Sequence, residues 1–171
     1  MAETGQLPAR YNLSDTKVDL GNELSIDQQA SKADLAQEVI DGAENVSTLG
    51  ALIVSYSLLD SLLNIDSANA AVVTAASSYS LTNATMPIET GSVAAINTYL
   101  NSLEAIVNGA ANGASFVLTA PYNLVDSLAV LSSPANAAIV AGTTDWTLTN
   151  SAGDLGTLSQ AEAAVVAGAT N

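Results

Sequence analysis

One short phrase is written three times along this chain of 171 residues. It reads Tyr-[Asn/Ser]-Leu-x-Asp-[Ser/Thr] and occupies residues 11–16, 56–61 and 122–127. A phrase that recurs in this way indicates a repeat protein, in which each structural unit contacts mainly its neighbours. Arrays of that kind extend, scaffold or present a long surface. The phrase therefore favours a structural role over catalysis.

A second phrase, Gly-Ala-x-Asn, begins at Gly42, Gly109 and Gly168, each time after a stretch rich in alanine and valine. We predict that it ends a helix, because glycine and asparagine tolerate the left-handed conformation found there. The spacing is unequal both between the three tyrosines and between the three glycines, so the predicted repeat is long and irregular. We predict an extended arm over 1–10 and one repeat domain over 11–171, with units 11–55, 56–121 and 122–171.

The two ends of the chain fall in phase with the repeat. Nearly the same short distance separates each internal Gly-Ala-x-Asn phrase from the next tyrosine, a segment of that length precedes Tyr11, and Asn171 is the last residue. One copy followed by another would continue the pattern, although whole units cut from a longer array would look the same. We predict that the two ends form an assembly interface, composed of Leu7, Pro8, Tyr11, Leu13, Leu158, Val165, Val166 and Asn171.

Charge excludes several classes of partner. The chain contains three basic and 17 acidic residues, which gives a net charge of −14. Nucleic acids and anionic membrane surfaces are bound through Lys and Arg, so neither is expected as a partner. The most apolar window, 49–65, is interrupted by polar residues and is too short for a membrane span. We interpret it as a buried strand and turn.

The chain contains no cysteine and no histidine. Thiol nucleophiles, catalytic triads and most zinc sites are thereby excluded. A pair of carboxylates could serve a glycosidase, but one Trp and one Phe supply little of the aromatic platform that a sugar needs. No phosphate-binding glycine motif occurs. We therefore predict no enzyme activity and no cofactor.

Hydrophobic periodicity predicts alternating strands and helices. We expect strands at 11–16 and 78–82, a short strand at 24–26, and helices over 31–41, 92–107 and 160–167. In the first of these helices Leu35, Val39 and Ile40 share a side. The sequence ANAAVV at 68–73 returns as ANAAIV at 135–140. The predicted fold is α/β, a solenoid-like stack of short parallel strands and helices in about three repeats. A compact α+β domain with internal pseudo-symmetry is the alternative.

The repeated aspartates Asp15, Asp60 and Asp126 have two interpretations. Stacked carboxylates one unit apart could bind Ca²⁺, which prefers several oxygen ligands. An Asp followed by Ser or Thr also ends a strand by accepting local backbone N–H groups, and we favour this turn. Similarly, Tyr11, Tyr56 and Tyr122 could form an exposed ladder for glycans, but a leucine two residues after each favours a place in the core.

Together, the tyrosine phrase, the ANAA[VI]V segment and the closing AAVVAGATN at 163–171 resemble the degenerate repeats of very large bacterial surface proteins and exoproteins. Those proteins are adhesin-like, matrix or S-layer-like, and many are exported by type I secretion. The resemblance implies a structural or adhesive role outside the cell. The calcium-binding nonapeptide G-G-x-G-x-D that often accompanies them is absent, so a calcium-driven β-roll is not indicated.

The sequence thus leads to one main functional hypothesis and two alternatives. We expect an extracellular, cell-surface structural protein that binds itself head to tail in a filament or lattice. The first alternative is a spacer within a large adhesin that presents a site for a surface glycan or matrix component. The second is an intracellular scaffold component, which the lack of an apolar segment in residues 1–10 would fit.

Overall fold

The computed structural model describes residues 11–13, 15–48, 52–149 and 160–169. The chain divides into two compact units, which we call unit 1 and unit 2. Unit 1 extends to Thr82 and also takes in Ala110–Asn112, whereas unit 2 comprises Asn83–Gly109 and the chain from Gly113 onward. The predicted arm, residues 1–10, lies outside the described residues.

Unit 1 is a three-stranded parallel sheet with helices between its strands. Its elements in chain order are β1 (Lys17–Leu24), α1 (Ile26–Asp41), a 3₁₀ helix (Val46–Thr48), β2 (Ile53–Asp60), α2 (Leu62–Ser67), α3 (Ala70–Ala75) and β3 (Ser78–Leu81). The strand order is β1-β2-β3, and both pairs are parallel. The helices return the chain to the start of the next strand, as parallel pairing requires.

Unit 2 has the same arrangement with two additions, a 3₁₀ helix between its two short helices and a helix after its last strand. Its elements are β4 (Glu89–Gly91), α4 (Val93–Gly109), a 3₁₀ helix (Gly113–Ser115), β5 (Tyr122–Asp126), α5 (Leu128–Leu131), a 3₁₀ helix (Pro134–Asn136), α6 (Ala137–Gly142), β6 (Asp145–Leu148) and α7 (Gln160–Gly168). The strand order is β4-β5-β6, again with parallel pairs. The predicted α/β class is confirmed, and it takes the form of two small parallel sheets.

Corresponding positions of the two units are separated by a nearly constant distance along the chain. Tyr56 and Tyr122 have the same separation as Asp60 and Asp126, and the separation of Ser25 from Ser92 is longer by a single residue. Tyr56 and Asp60 lie in the central strand of unit 1, and Tyr122 and Asp126 lie in that of unit 2. Corresponding residues of the two units thus lie at corresponding positions of their central strands.

Helix α1 begins earlier than the periodicity predicts, at Ile26 and not at residue 31. Ser25, expected in a short strand, is the N-cap. Its hydroxyl oxygen accepts the N–H of Gln28 at 3.2 Å, and the Gln28 side-chain oxygen accepts the N–H of Ser25 at 3.0 Å. This is a capping box, and the sequence Ser-x-x-Gln carries its signature.

The apolar face expected of helix 92–107 is confirmed in α4, whereas that of α1 is confirmed only in part, because Ile40 is buried but Leu35 is not. Val93, Ile96, Leu103 and Val107 are buried, as their 3-4 spacing predicts. In α1, by contrast, Leu35 is 60% exposed and Gln29 is buried.

Gln29 takes the place in α1 that Ile96 takes in α4. Each is the fourth residue after the serine that precedes its helix, Ser25 or Ser92. Helix α1 therefore uses the same face as α4, with a polar residue in place of an apolar one. Leu35 lies outside that face.

Each unit has its own apolar core around the central strand. In unit 1 the buried side chains include Leu20, Leu24, Ile40, Tyr56, Leu58, Leu62, Ile65 and Leu81. In unit 2 one cluster comprises Val93, Ile96, Tyr122, Leu124, Leu131, Ile139 and Val165. Predicted helix 160–167 is confirmed as α7, and its Val165 belongs to this cluster. The tyrosine phrase thus supplies the centre of both cores.

Candidate functional site

The aspartates that end the two central strands are bound to the first turn of a helix in their own unit. In unit 1, Asp60 Oδ1 accepts the N–H of Ser61 at 2.8 Å, and Asp60 Oδ2 accepts the N–H of Ile26 at 3.0 Å. In unit 2, Asp126 Oδ1 accepts the N–H of Ser127 at 2.8 Å, and Oδ2 accepts that of Val93 at 3.1 Å. A carboxylate there satisfies an otherwise unpaired N–H and lies favourably in the helix dipole.

Asp15 occupies a different position from the other two aspartates. Its Oδ1 accepts the N–H groups of Thr16 and Lys17, at 2.7 and 3.1 Å. These local bonds are those that the turn interpretation predicts. Among the described residues no group of three or more acidic side chains is arranged to hold a metal ion. Calcium binding at Asp15, Asp60 and Asp126 stays a prediction.

The tyrosines of the central strands are core residues. Tyr56 and Tyr122 are buried, and their hydroxyls donate to the carbonyls of Val72 at 2.6 Å and Ile139 at 2.8 Å. Each bond ties the central strand to a helix that follows it. Burial raises the pKa of both hydroxyls above the ordinary tyrosine value, so both hydroxyls keep the proton that they donate. The contribution of these two protonated hydroxyls to the stability of the fold is complete below about pH 10. It is lost as the pH rises through the raised pKa.

Tyr11 belongs to a second class of aromatic position, together with Tyr79. The carbonyl of Tyr11 accepts the N–H of Glu44 at 2.9 Å, and that of Tyr79 accepts the N–H of Ala111 at 2.8 Å. Both acceptors therefore bind the same position of a Gly-Ala-x-Asn phrase. The sequence grouped Tyr11 with Tyr56, but its hydrogen bonds match those of Tyr79.

Trp146 continues this second class in unit 2. Its Nε1 donates to the carbonyl of Val165 in α7 at 2.9 Å, as the Tyr11 hydroxyl donates to that of Val39 in α1. Tyr79 lies midway between Tyr11 and Trp146 along the chain, to within a single residue, so the period is regular. The irregular spacing in the sequence came from mixing the two classes.

Extra length before α1 is absorbed by a bulge in β1. The segment from Tyr11 to Ser25 is longer by a single residue than the corresponding segment from Tyr79 to Ser92. The pairing of β1 with β2 shifts register on either side of Gly21. Gly21 and Glu23 are the described residues with positive φ, at 108° and 56°. A β-bulge accommodates an inserted residue in this way without changing the rest of the ladder.

Glycine ends α1 for a reason other than the left-handed conformation that we predicted. Gly42 has φ −79° and ψ −9°, which any residue can adopt. A Cβ on Gly42 would collide with the Tyr11 hydroxyl, and one on Gly168 would collide with the Trp146 ring. Gly42 and Gly168 are therefore required for the close approach of an aromatic side chain to the helix end.

We expect Gly142→Ala to lower the free energy of unfolding by about 1–2 kcal/mol, because its Cβ would lie 2.6 Å from the buried Tyr122 hydroxyl. Chemical denaturation measures the loss. Gly91→Ala is the control, since its nearest contact would be an ordinary 3.4 Å. In a Tyr122→Phe background the hydroxyl is gone, so Gly142→Ala should cost less there. Equal costs in both backgrounds would contradict the collision.

The asparagines of the first two Gly-Ala-x-Asn phrases each bind both backbone groups of one leucine. Asn45 Oδ1 accepts the N–H of Leu13 at 3.0 Å, and Asn45 Nδ2 donates to the Leu13 carbonyl at 2.7 Å. Asn112 makes the same pair of bonds with Leu81, at 2.8 and 2.9 Å. No strand is present at 11–13 or 15–16, so the predicted strand 11–16 is wrong. The backbone of Tyr11 and Leu13 bonds to Glu44 and Asn45, and neither residue pairs with a strand.

Predicted assembly residues fall into two groups. Leu7, Pro8, Leu158 and Asn171 lie outside the described residues. Tyr11 and Leu13 are half-buried; Tyr11 bonds to α1, and Leu13 bonds to Asn45. Val165 is buried in the core of unit 2, and Val166 is half-buried. All four thus take part in packing or hydrogen bonding within the chain, and the interface itself stays a prediction.

An apolar cavity of about 570 Å³ opens beside Trp146 in unit 2. Its apolar lining includes Leu131, Pro134, Val140 and Val165, and Ser132, Ser133 and Thr143 also line it. None of the described residues that line it carries a charge. Its size is within the range of small-molecule pockets.

Comparison with known proteins provides no family for this chain. No protein-family model, curated protein or solved structure gives a significant match. In the described part of the chain, no helix has both the length and the apolar character needed to cross a bilayer. Any functional conclusion therefore depends on the residues and geometry of the chain itself.

Proposed function

We propose that this chain is an extracellular structural protein that assembles head to tail into a filament or surface lattice. The observation that carries the proposal is the duplicated module: strand, helix, strand, two short helices and strand occur twice in the same order. The same Asp-to-helix bond and tyrosine-to-helix bond recur in both copies. A module that recurs together with these internal hydrogen bonds is typical of proteins that extend along one axis.

Sequential parallel strands support stacking of the modules into a solenoid. Strands are added in the order of the chain within each sheet, and helices return the chain each time. We infer that successive modules continue this pattern, since a repeat unit buries its apolar face best against a neighbour. A face that fits the next module within a chain also fits the same module of another chain. Such a heterologous contact propagates unless it closes into a ring.

Like charge opposes this assembly and makes it sensitive to salt. Each copy carries a net charge of −14, so contact between copies brings acidic surfaces together. Screening shortens the range of that repulsion to about 8 Å at physiological ionic strength. Head-to-tail association is therefore expected to strengthen as the salt concentration rises.

A spacer within a larger adhesin is the second candidate, and the asparagine bonds favour it. Asn112 occupies the outer backbone groups of Leu81 in β3, the last strand of the unit 1 sheet. An edge covered in this way resists pairing with another chain. A spacer needs such protection because it must remain single while it holds a binding site at a distance.

Negative-stain electron microscopy and sedimentation velocity across a concentration series separate these two functions. We expect filaments or sheets whose length increases with protein and salt concentration, and the series is repeated with and without Ca²⁺. Deletion of residues 1–10, the arm that we place at the joint, is expected to abolish them. Single particles under every condition would refute assembly and favour the spacer. Normal polymers of the truncated chain would refute the role of the arm alone.

A further inference from the structure

The outer edge of β3 is occupied by a short piece of the same unit, which we call the guard segment, Ala110–Asn112. The Ala111 N–H donates to the Tyr79 carbonyl at 2.8 Å. The Leu81 N–H donates to Asn112 Oδ1 at 2.8 Å, and Asn112 Nδ2 donates to the Leu81 carbonyl at 2.9 Å. Three successive outward-facing backbone groups of one strand are thus paired by two residues.

The guard segment satisfies these groups as a neighbouring strand would. An amide side chain offers one acceptor oxygen and N–H donors, the same functions as a peptide group. The arrangement recurs at residues 11–13, where Glu44 and Asn45 make three equivalent bonds at 2.9, 3.0 and 2.7 Å. Two occurrences with the same donors and acceptors indicate a built device and not an accident of one loop.

We propose that the guard segment is an autoinhibitory cover, and that its removal opens β3 to pairing with β3 of a second copy. Residues 79 and 81 both direct backbone groups outward, as the bonds to the guard segment show. Two such edges turned antiparallel can exchange N–H···O bonds, which gives a closed, two-fold symmetric dimer. The proposal holds whether or not the wild-type chain assembles head to tail.

The competing partners have similar chemistry but differ in effective concentration. The guard segment is tethered to the strand that it covers, so it outcompetes a second copy at ordinary protein concentrations. Repulsion between two chains of net charge −14 adds to this preference. Removal of the Asn112 amide leaves only the Ala111 bond, and the Leu81 N–H and carbonyl then lose the bonds that Asn112 made. An edge in that state is a template for strand addition.

The test compares Asn112→Ala with wild type by sedimentation velocity and by hydrogen exchange at the Leu81 amide, over a concentration and salt series. We expect the variant to form dimers that wild type does not, and more of them at high salt. Its Leu81 amide should exchange at least tenfold faster than wild type at low concentration. It should become protected again at high concentration, because the second copy now accepts that hydrogen bond.

Asn101→Ala is the matched control. Asn101 is exposed on α4, so the same chemical change there removes no strand-edge partner and should alter neither readout. Asn112→Asp keeps an acceptor for the Leu81 N–H but loses the donor, so it should show a smaller increase in dimer than Asn112→Ala. Circular dichroism shows whether each variant is folded.

Two outcomes would overturn the proposal. One is an Asn112→Ala chain that stays monomeric at every concentration while its Leu81 amide exchanges quickly. The other is association without renewed protection of Leu81, which would place the contact elsewhere. Neither outcome depends on whether wild-type filaments form, so the head-to-tail proposal is judged separately by microscopy.

Discussion

Leu124→Ala is expected to lower the free energy of unfolding of unit 2 by about 3–4 kcal/mol, because a truncated leucine loses its transfer free energy and leaves a cavity that closely packed neighbours cannot fill. Leu124 lies in the central strand β5, has no exposed surface and belongs to the apolar cluster formed with Val93, Ile96 and Leu131. The loss is a large part of the stability that a small unit has.

The single tryptophan makes this loss measurable in unit 2. Trp146 is half-buried against the same cluster, so its fluorescence follows the unfolding of that unit in denaturant. The matched variant is Leu58→Ala, the same position of β2 in unit 1, where the leucine is 1% exposed. Its cost should be similar and is followed by far-ultraviolet circular dichroism. A Trp146 transition that Leu124→Ala leaves unchanged would contradict the central role of the leucine.

Asp126→Ala is expected to cost about 2–3 kcal/mol, the second largest effect, since hydrogen bonds to a charged acceptor contribute more than neutral ones. The carboxylate accepts the N–H groups of Ser127 and Val93. Without it, the first N–H of α4 loses a partner inside the protein and a favourable charge at the helix N-terminus. Denaturation at pH 7 measures the loss.

Two further variants separate the helix bond from the local turn. Asp126→Asn keeps an acceptor oxygen but no charge, so about half of the loss is expected. Asp15→Ala removes local bonds to Thr16 and Lys17 only, so we expect about 1 kcal/mol. If Asp15→Ala cost as much as Asp126→Ala, the three aspartates would be equivalent after all, and the distinction between their positions would be wrong.

The strongest local patterns in the sequence predicted the corresponding elements well. The stripe from Val93 to Val107 identified α4 because five apolar residues at 3-4 spacing leave no other regular structure. In α1 the same face carries Gln29 in place of an isoleucine, so the apolar pattern began too late and drew in the exposed Leu35. The capping signal at Ser25 and Gln28 could have corrected the start.

Grouping the three tyrosine phrases failed for a different physical reason. The six letters of the phrase are local, whereas the role of each tyrosine is set by partners far along the chain. The hydroxyl of Tyr11 binds Val39 in α1, and that of Tyr56 binds Val72 in α3. The nearly equal spacing of Tyr11, Tyr79 and Trp146 was present in the sequence. Only the hydrogen bonds show that this spacing, and not the shared letters, defines equivalence.

The hydrogen bonds that join distant residues within each unit also determine how such a chain can reach its folded state. The tyrosine, tryptophan, aspartate and asparagine bonds join residues no more than 34 positions apart, and some as few as 16. Loops of that length close at a smaller entropic cost than loops spanning the whole chain would, so each set of bonds can form within its own unit. Each module can therefore fold soon after its last residue is released, before the rest of the chain has emerged. A chain built from such units can acquire its structure one unit at a time as it emerges from the ribosome.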